Sequence, residues 1–198
     1  LGPTSGLEKL GDVIEPLLPH ADALMLTRGA LRRWVDPTGQ VPIMMRMTGG
    51  TSIVSNDNEN SALSNESLTV STEDAIRMNC SGITCSVFIG TEHERQTLDN
   101  LSELIDDGER FGMPVMAVTA VGRDMVRDLR YLGLCTRICA ELGAHMVKTY
   151  FCDGFEKLIE STPVPVVIAG GKKIPEKEAL ELAWRAIDAG AAGVDMGR

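Results

Sequence analysis

Basic residues are in deficit. The 198 residues hold 19 Lys and Arg against 28 Asp and Glu, a net charge of −9. That balance argues against nucleic acid as a partner, since non-specific binding there is driven by cations that release counterions. Long apolar runs are missing too. Nothing approaches the roughly 18 consecutive apolar residues of a membrane helix, so no membrane partner is expected. Aromatics are scarce, with four Phe, two Tyr and two Trp beside ten Met, and an aliphatic core is expected. The chain opens LGPTSG without a signal-peptide pattern, so a cytoplasmic location is expected rather than export.

Cysteine is present in odd number. Cys80, Cys85, Cys135, Cys139 and Cys152 show no compact spacing, which argues against a disulfide framework and for a reducing compartment. Cys135 and Cys139 fall four apart on an expected helix and could share a face as ligands. No second Cys or His pair stands at zinc-site spacing, so both are read as packing residues and no metal is expected.

What the chain does have is a repeated strand, loop, helix unit. Short apolar runs occur at 21–27, 42–48, 82–89, 114–119, 145–150, 164–170 and 193–197. Most are continuously apolar, as expected of parallel strands covered on both faces. Between them, Leu98, Leu101, Leu104 and Ile105 recur at helical spacing, with Gly108 and Gly112 as the expected stop. Val126, Leu129, Ile138 and Leu142 mark another helix, closed by Gly143 in a left-handed conformation. Pro175 suits the first turn of a helix whose apolar stripe is Leu180, Trp184 and Ile187, and Ser71 with Asp74 suits a helix start.

Seven strands alternating with helices mean an α/β fold. No G-x-G-x-x-G follows the first strand and the alternation never breaks, so a TIM (β/α)8 barrel is favoured over a doubly wound sheet. A barrel needs eight strands and typically about 250 residues. Residues 1–198 are therefore expected to form a single barrel domain incomplete at both ends, lacking the first strand and the final helix. Such a segment, alone, is expected to be poorly soluble and inactive. The polar stretch 53–65 follows a strand on the side where barrel active sites lie, and reads as a solvated insertion or a lid.

Lys148 is the chemical outlier. It sits inside an apolar strand, where an ammonium is costly unless paired or neutralised. Period-two alternation puts Met146, Lys148 and Tyr150 on one face. If that face lines the barrel, Lys148 emerges at the catalytic end. A lysine in a partly apolar pocket has its charged form disfavoured, leaving an amine able to form a Schiff base with a carbonyl. A lysine snorkelling into an ion pair is the competing reading. Gly170 and Gly171, followed by Lys172, end the strand at barrel position seven. The run from Gly193 through Gly197 to Arg198 ends position eight. Loops at those positions recurrently bind phosphate through backbone N–H groups. Arg46, between Met45 and Met47, could orient a carbonyl or phosphate oxygen, or stand in a structural ion pair. Thr27, Arg28 and Thr119 are further polar strand-end residues, and His145, at the opposite end, is given no role.

Lys148 within HMVKTYF, IAGGKK at 168–173 and AAGVDMGR at 191–198 resemble the class I barrel aldolases related to archaeal fructose-bisphosphate aldolase, a DeoC-like family. The stretches 63–67, 113–131, 135–151 and 163–198 are more similar to one group within it, the 3-hydroxy-5-phosphonooxypentane-2,4-dione thiolases of autoinducer-2 breakdown. The resemblance implies a Schiff-base lysine at Lys148 and a phosphate held near Gly170, Gly171, Gly197 and Arg198. It implies transfer of an acetyl group from the phosphorylated diketone to coenzyme A, leaving dihydroxyacetone phosphate. Coenzyme A would be a co-substrate, with no bound cofactor, and members tend to be cytoplasmic ring-shaped homo-oligomers, often decamers. Two departures accompany it. The aldolases carry an aromatic acid–base pair where this chain has Ala117, Val118 and Thr119, and the family's Asp-His-Gly motif of the first strand has no counterpart in these residues. A Schiff-base aldolase or transaldolase on another phosphorylated keto compound is the alternative enzyme, and a non-catalytic phosphate-binding subunit the alternative outside catalysis.

Overall fold

The computed structural model describes residues 8–36, 38–39, 41–50, 64–120, 126–171 and 174–196. The chain begins with α1 (Leu10–Leu17), β1 (Leu24–Thr27), α2 (Arg28–Trp34) and β2 (Ile43–Arg46). Two short strands, β3 (Thr48–Gly49) and β4 (Ser67–Leu68), then precede α3 (Thr72–Arg77) and β5 (Gly82–Val87). Next come α4 (Glu94–Phe111), β6 (Val115–Thr119), α5 (Leu129–Glu141) and β7 (Met146–Tyr150). The last elements are α6 (Phe155–Ser161), β8 (Val166–Ala169), α7 (Glu176–Asp188) and β9 (Gly193–Asp195).

Every one of the seven apolar runs contains a strand of one sheet, ordered β1-β2-β5-β6-β7-β8-β9, and every neighbouring pair in it is parallel. The order follows the chain and never reverses. A doubly wound sheet has a switch point where the order turns back, and a (β/α)8 barrel has none. β3 and β4 form a separate antiparallel pair, Thr48 opposite Leu68.

Burial separates the two faces of the sheet. β5 is buried along its whole length, but β2, β7 and β8 alternate buried with half-buried residues. Met45, Val147 and Ile168 are among the buried ones, in cores that also take in residues of the helices. Arg46, Lys148, Tyr150 and Ala169 share the other, half-buried face. The expected coverage of both faces therefore holds for β5, whereas on β2 and β7 the inner face carries the half-buried Arg46 and Lys148.

Helix faces depart from expectation in three places. Gly108 does not stop α4. It lies within the helix, where an added Cβ would meet Val115 Cγ2 at 2.6 Å and the Met113 carbonyl at 2.7 Å. Gly112, at φ 69°, is the residue that ends it. Val126 lies before α5 and Leu142 caps it, both exposed, whereas Leu129 and Ile138 pack on the cores beside the buried Leu132, Cys135, Thr136 and Cys139. On α7, Leu180, Trp184 and Ile187 are exposed, Trp184 by 67%. The side of α7 that packs is Leu182 and Ala186, with Ala189 at its C-cap. The start of α3 is as expected, since Ser71 Oγ accepts from the Asp74 backbone N–H at 3.2 Å.

Candidate active site

Strand register decides what surrounds Lys148. Val118 and Val167 are its partners on the two adjacent strands, and partners in a parallel ladder point to the same face. Both immediate neighbours are thus apolar. The positive charge is answered from farther along the sheet: Lys148 Nζ donates to Asp195 Oδ2 at 2.6 Å. The lysine side chain is 12% exposed and the aspartate 35%. Asp195 is in register with Ala169, and Ala169 with Tyr150, so the carboxylate belongs to the layer above Lys148, nearer the strand C-termini. An ammonium in an apolar strand needs such a partner, because without one its desolvation is uncompensated.

The backbone at Lys148 is held from the outer face. Thr119 Oγ1 donates to the Lys148 carbonyl at 3.2 Å and lies 2.8 Å from Thr149 Oγ1. Thr119 therefore faces away from the site and positions the strand that carries the lysine. Of Ala117, Val118 and Thr119, only Val118 shares the lysine's face.

Arg46 is in the ion-paired state that the sequence left open. Its Nη2 meets Glu66 Oε1 at 2.5 Å, and its Nε donates to the Thr48 carbonyl at 3.1 Å. Glu66 is 2% exposed and also receives Asn100 Nδ2 at its backbone carbonyl. Arg46 shares the inner face with Lys148, but β5 and β6 lie between their strands. At about 4.8 Å per strand the two side chains arise roughly 14 Å apart along the sheet.

A second cluster forms beside the lysine. The Arg127 guanidinium lies 3.8 Å from the Tyr150 ring centroid, and its Nη1 is 3.4 Å from where a Cβ on Gly171 would sit. Gly171 has φ +71°, a conformation that favours glycine. Gly170 is glycine for a different reason: a Cβ there would crowd Met196 at 3.2 Å. Lys172, Gly197 and Arg198 lie outside the described residues, as does most of the polar stretch 53–65.

Three participants escaped the sequence reading: Asp195, Arg127 and Glu66. Asp195 had a signal, a lone carboxylate in the short run that forms β9. Arg127 and Glu66 had none, since each comes from a loop whose path no periodicity reports. His145 sits at the opposite ends of the strands, its Nδ1 accepting from the Val115 N–H at 3.2 Å. Arg28 pairs with Asp74 at 3.5 Å. Cys135 and Cys139 are both buried in the core.

Residues 7–198 match the model of the DeoC/LacD family aldolase. A 3-hydroxy-5-phosphonooxypentane-2,4-dione thiolase of Photorhabdus laumondii is 54% identical over 198 residues, covering 100% of this chain and 66% of that protein. The protein of the same name from Escherichia coli K12 is 52% identical with the same coverage. The chain thus spans just under two thirds of the length of these curated relatives. Among solved structures, an archaeal fructose 1,6-bisphosphate aldolase superposes with a TM-score of 0.79 at 22% identity, over 93% of this chain and 75% of that one. An archaeal aldolase with its catalytic Lys covalently bound to a carbinolamine intermediate gives 0.76 at 22% identity, over 89% of this chain and 70% of that one. At such identity the likeness speaks for the fold.

Proposed function

The chain belongs to the DeoC/LacD aldolase family, and on that premise we propose that it carries the Schiff-base centre of a thiolase acting on a phosphorylated 2,4-diketone. The substrate is 3-hydroxy-5-phosphonooxypentane-2,4-dione, and the acceptor of the acetyl group is coenzyme A. The observation that carries this reading is Lys148, an amine on the inner face of the sheet flanked by Val118 and Val167 and bonded to a carboxylate. Identity of 52–54% to proteins bearing that thiolase name supports the choice of substrate.

In the reaction, the Lys148 amine condenses with the substrate ketone next to the phosphorylated carbon, releasing water and leaving an iminium. The coenzyme A thiolate adds to the acetyl carbonyl. The bond between that carbon and the hydroxyl-bearing carbon then breaks, and its electron pair moves into the iminium to give an enamine. Protonation at carbon and hydrolysis of the imine release dihydroxyacetone phosphate and restore the lysine. The phosphate lies at the Gly170–Gly171 turn, where Arg127 offers positive charge and Lys172, Gly197 and Arg198 follow in the chain. Catabolism of autoinducer-2 in the cytoplasm is the setting that fits, and five cysteines without a disulfide suit that compartment.

Ala117, Val118 and Thr119, where the aldolases carry an aromatic acid–base pair, favour this reading over a sugar-bisphosphate aldolase. Incubation of the intact protein with the phosphorylated diketone and coenzyme A is expected to yield acetyl-coenzyme A, and Lys148→Ala to reduce the rate to background. Full turnover in Lys148→Ala overturns the reading. Release of dihydroxyacetone phosphate at an unchanged rate without coenzyme A points instead to the aldolase.

A further inference from the structure

Forming an imine on a lysine takes more than an amine. A proton must leave nitrogen and another must reach the departing oxygen, both beside the same carbon. Val118 and Val167, the residues in register with Lys148, can do neither. Thr119 is turned to the outer face, and Glu66 is engaged with Arg46. Tyr150 lies under the Arg127 guanidinium. Among the described residues, the group in contact with the reacting nitrogen is Asp195, at 2.6 Å. It is also 35% exposed, so a substrate oxygen can reach it from the strand C-termini.

We propose that Asp195 is the proton-transfer residue of imine formation at Lys148, a role that rests on the Schiff-base reading above. In the resting pair the lysine is an ammonium and Asp195 a carboxylate. Asp195 takes one proton and leaves a neutral amine. The nitrogen lone pair adds to the ketone carbon, the carbonyl π pair moves to oxygen, and that oxygen takes the proton back from Asp195. Asp195 then removes a proton from the positively charged nitrogen, giving the neutral carbinolamine. Finally the nitrogen lone pair expels the hydroxyl, which leaves as water with the proton Asp195 holds. The products are the iminium, one water and the carboxylate, so charge is conserved and Asp195 is regenerated. Hydrolysis at the end of turnover runs the same relay backwards.

Asp195→Asn separates proton transfer from placement. The amide oxygen still accepts a hydrogen bond from Nζ, so the lysine keeps its position, but the amide takes up no proton near neutral pH. Borohydride trapping of the intact protein with dihydroxyacetone phosphate, followed by mass spectrometry, reports imine formation directly. Asp195→Asn is expected to slow trapping by roughly 100-fold or more, with the half-saturating concentration little changed. In Asp195→Ala, added formate is expected to restore part of the rate, since a small carboxylate fits the vacated space. Trapping by Asp195→Asn at the unaltered rate, while Lys148→Ala is not trapped, overturns this proposal and leaves the Schiff-base reading standing. A slowed rate that formate does not raise gives Asp195 a placing role only, and also overturns it. No trapping by the unaltered protein overturns both.

Discussion

Each ionic residue on the inner face of the sheet is matched, and the matches differ in kind. Glu66 is 2% exposed and Arg46 19%, so their pair is largely desolvated. Removing one partner of such a pair typically costs about 3–5 kcal/mol, because the other charge is left uncompensated. In the other pair Lys148 is 12% exposed, less than Arg46, and the accessible partner is Asp195 at 35%. Thiols behave differently again, since burial penalises only their ionised form. It pushes Cys139 up to about 12 and Cys80 and Cys135 to about 11, from an ordinary value near 9. Between those limits the folded state keeps protons that the unfolded chain has lost. Their contribution to stability is therefore complete below about pH 9 and declines as pH rises toward 11 and 12, by about 1.4 kcal/mol per pH unit for Cys139 and by less for Cys80 and Cys135, which are nearer solvent. The urea midpoint of the intact protein is expected to fall steeply over that range, and Cys139→Ala to make the slope shallower. An unchanged slope in that variant would remove Cys139 as a cause.

Elements are set by packing as much as by propensity. In an exposed helix, replacing glycine by alanine usually stabilises by about 1 kcal/mol. Gly108 on α4 is expected to show the opposite sign, because a Cβ would stand 2.6 Å from Val115 Cγ2 and 2.7 Å from the Met113 carbonyl. Overpacking of this kind costs about 1–3 kcal/mol. Gly108→Ala should lower the melting temperature, and a rise would mean that α4 shifts away from β6 freely. The same close approach explains why a residue that reads as a helix stop lies inside the helix. On α7 the misreading ran the other way. Leu180, Trp184 and Ile187 have the larger apolar surface, yet Leu182 and Ala186 are the ones that pack on the core. Two stripes at helical spacing compete on that helix, and the period alone does not say which one packs.

For the molecule as a whole, the sheet ends in β1 on one side and β9 on the other, with no further strand paired to either among the described residues. Val194 on β9 and Leu180, Trp184 and Ile187 on α7 are exposed. Unpaired strand edges and exposed large apolar side chains both favour association. The 198 residues by themselves are expected to self-associate, with light scattering that grows with concentration, and Trp184→Lys should reduce it. A monodisperse monomer would show that the edges are tolerated. Much was legible in the chain. The alternation of strands and helices, the face shared by Lys148 and Tyr150, and the lysine as an outlier all follow from periods of two and of three to four residues, which adjacent side chains carry by themselves. Tertiary structure alone decided which residues meet. Asp195 reaches Lys148 across 47 positions of sequence, Arg127 comes to lie on Tyr150, and Glu66 neutralises Arg46 across 20. Those pairings depend on strand order, register and the paths of loops, and on the need to compensate buried charge, none of which any local period records.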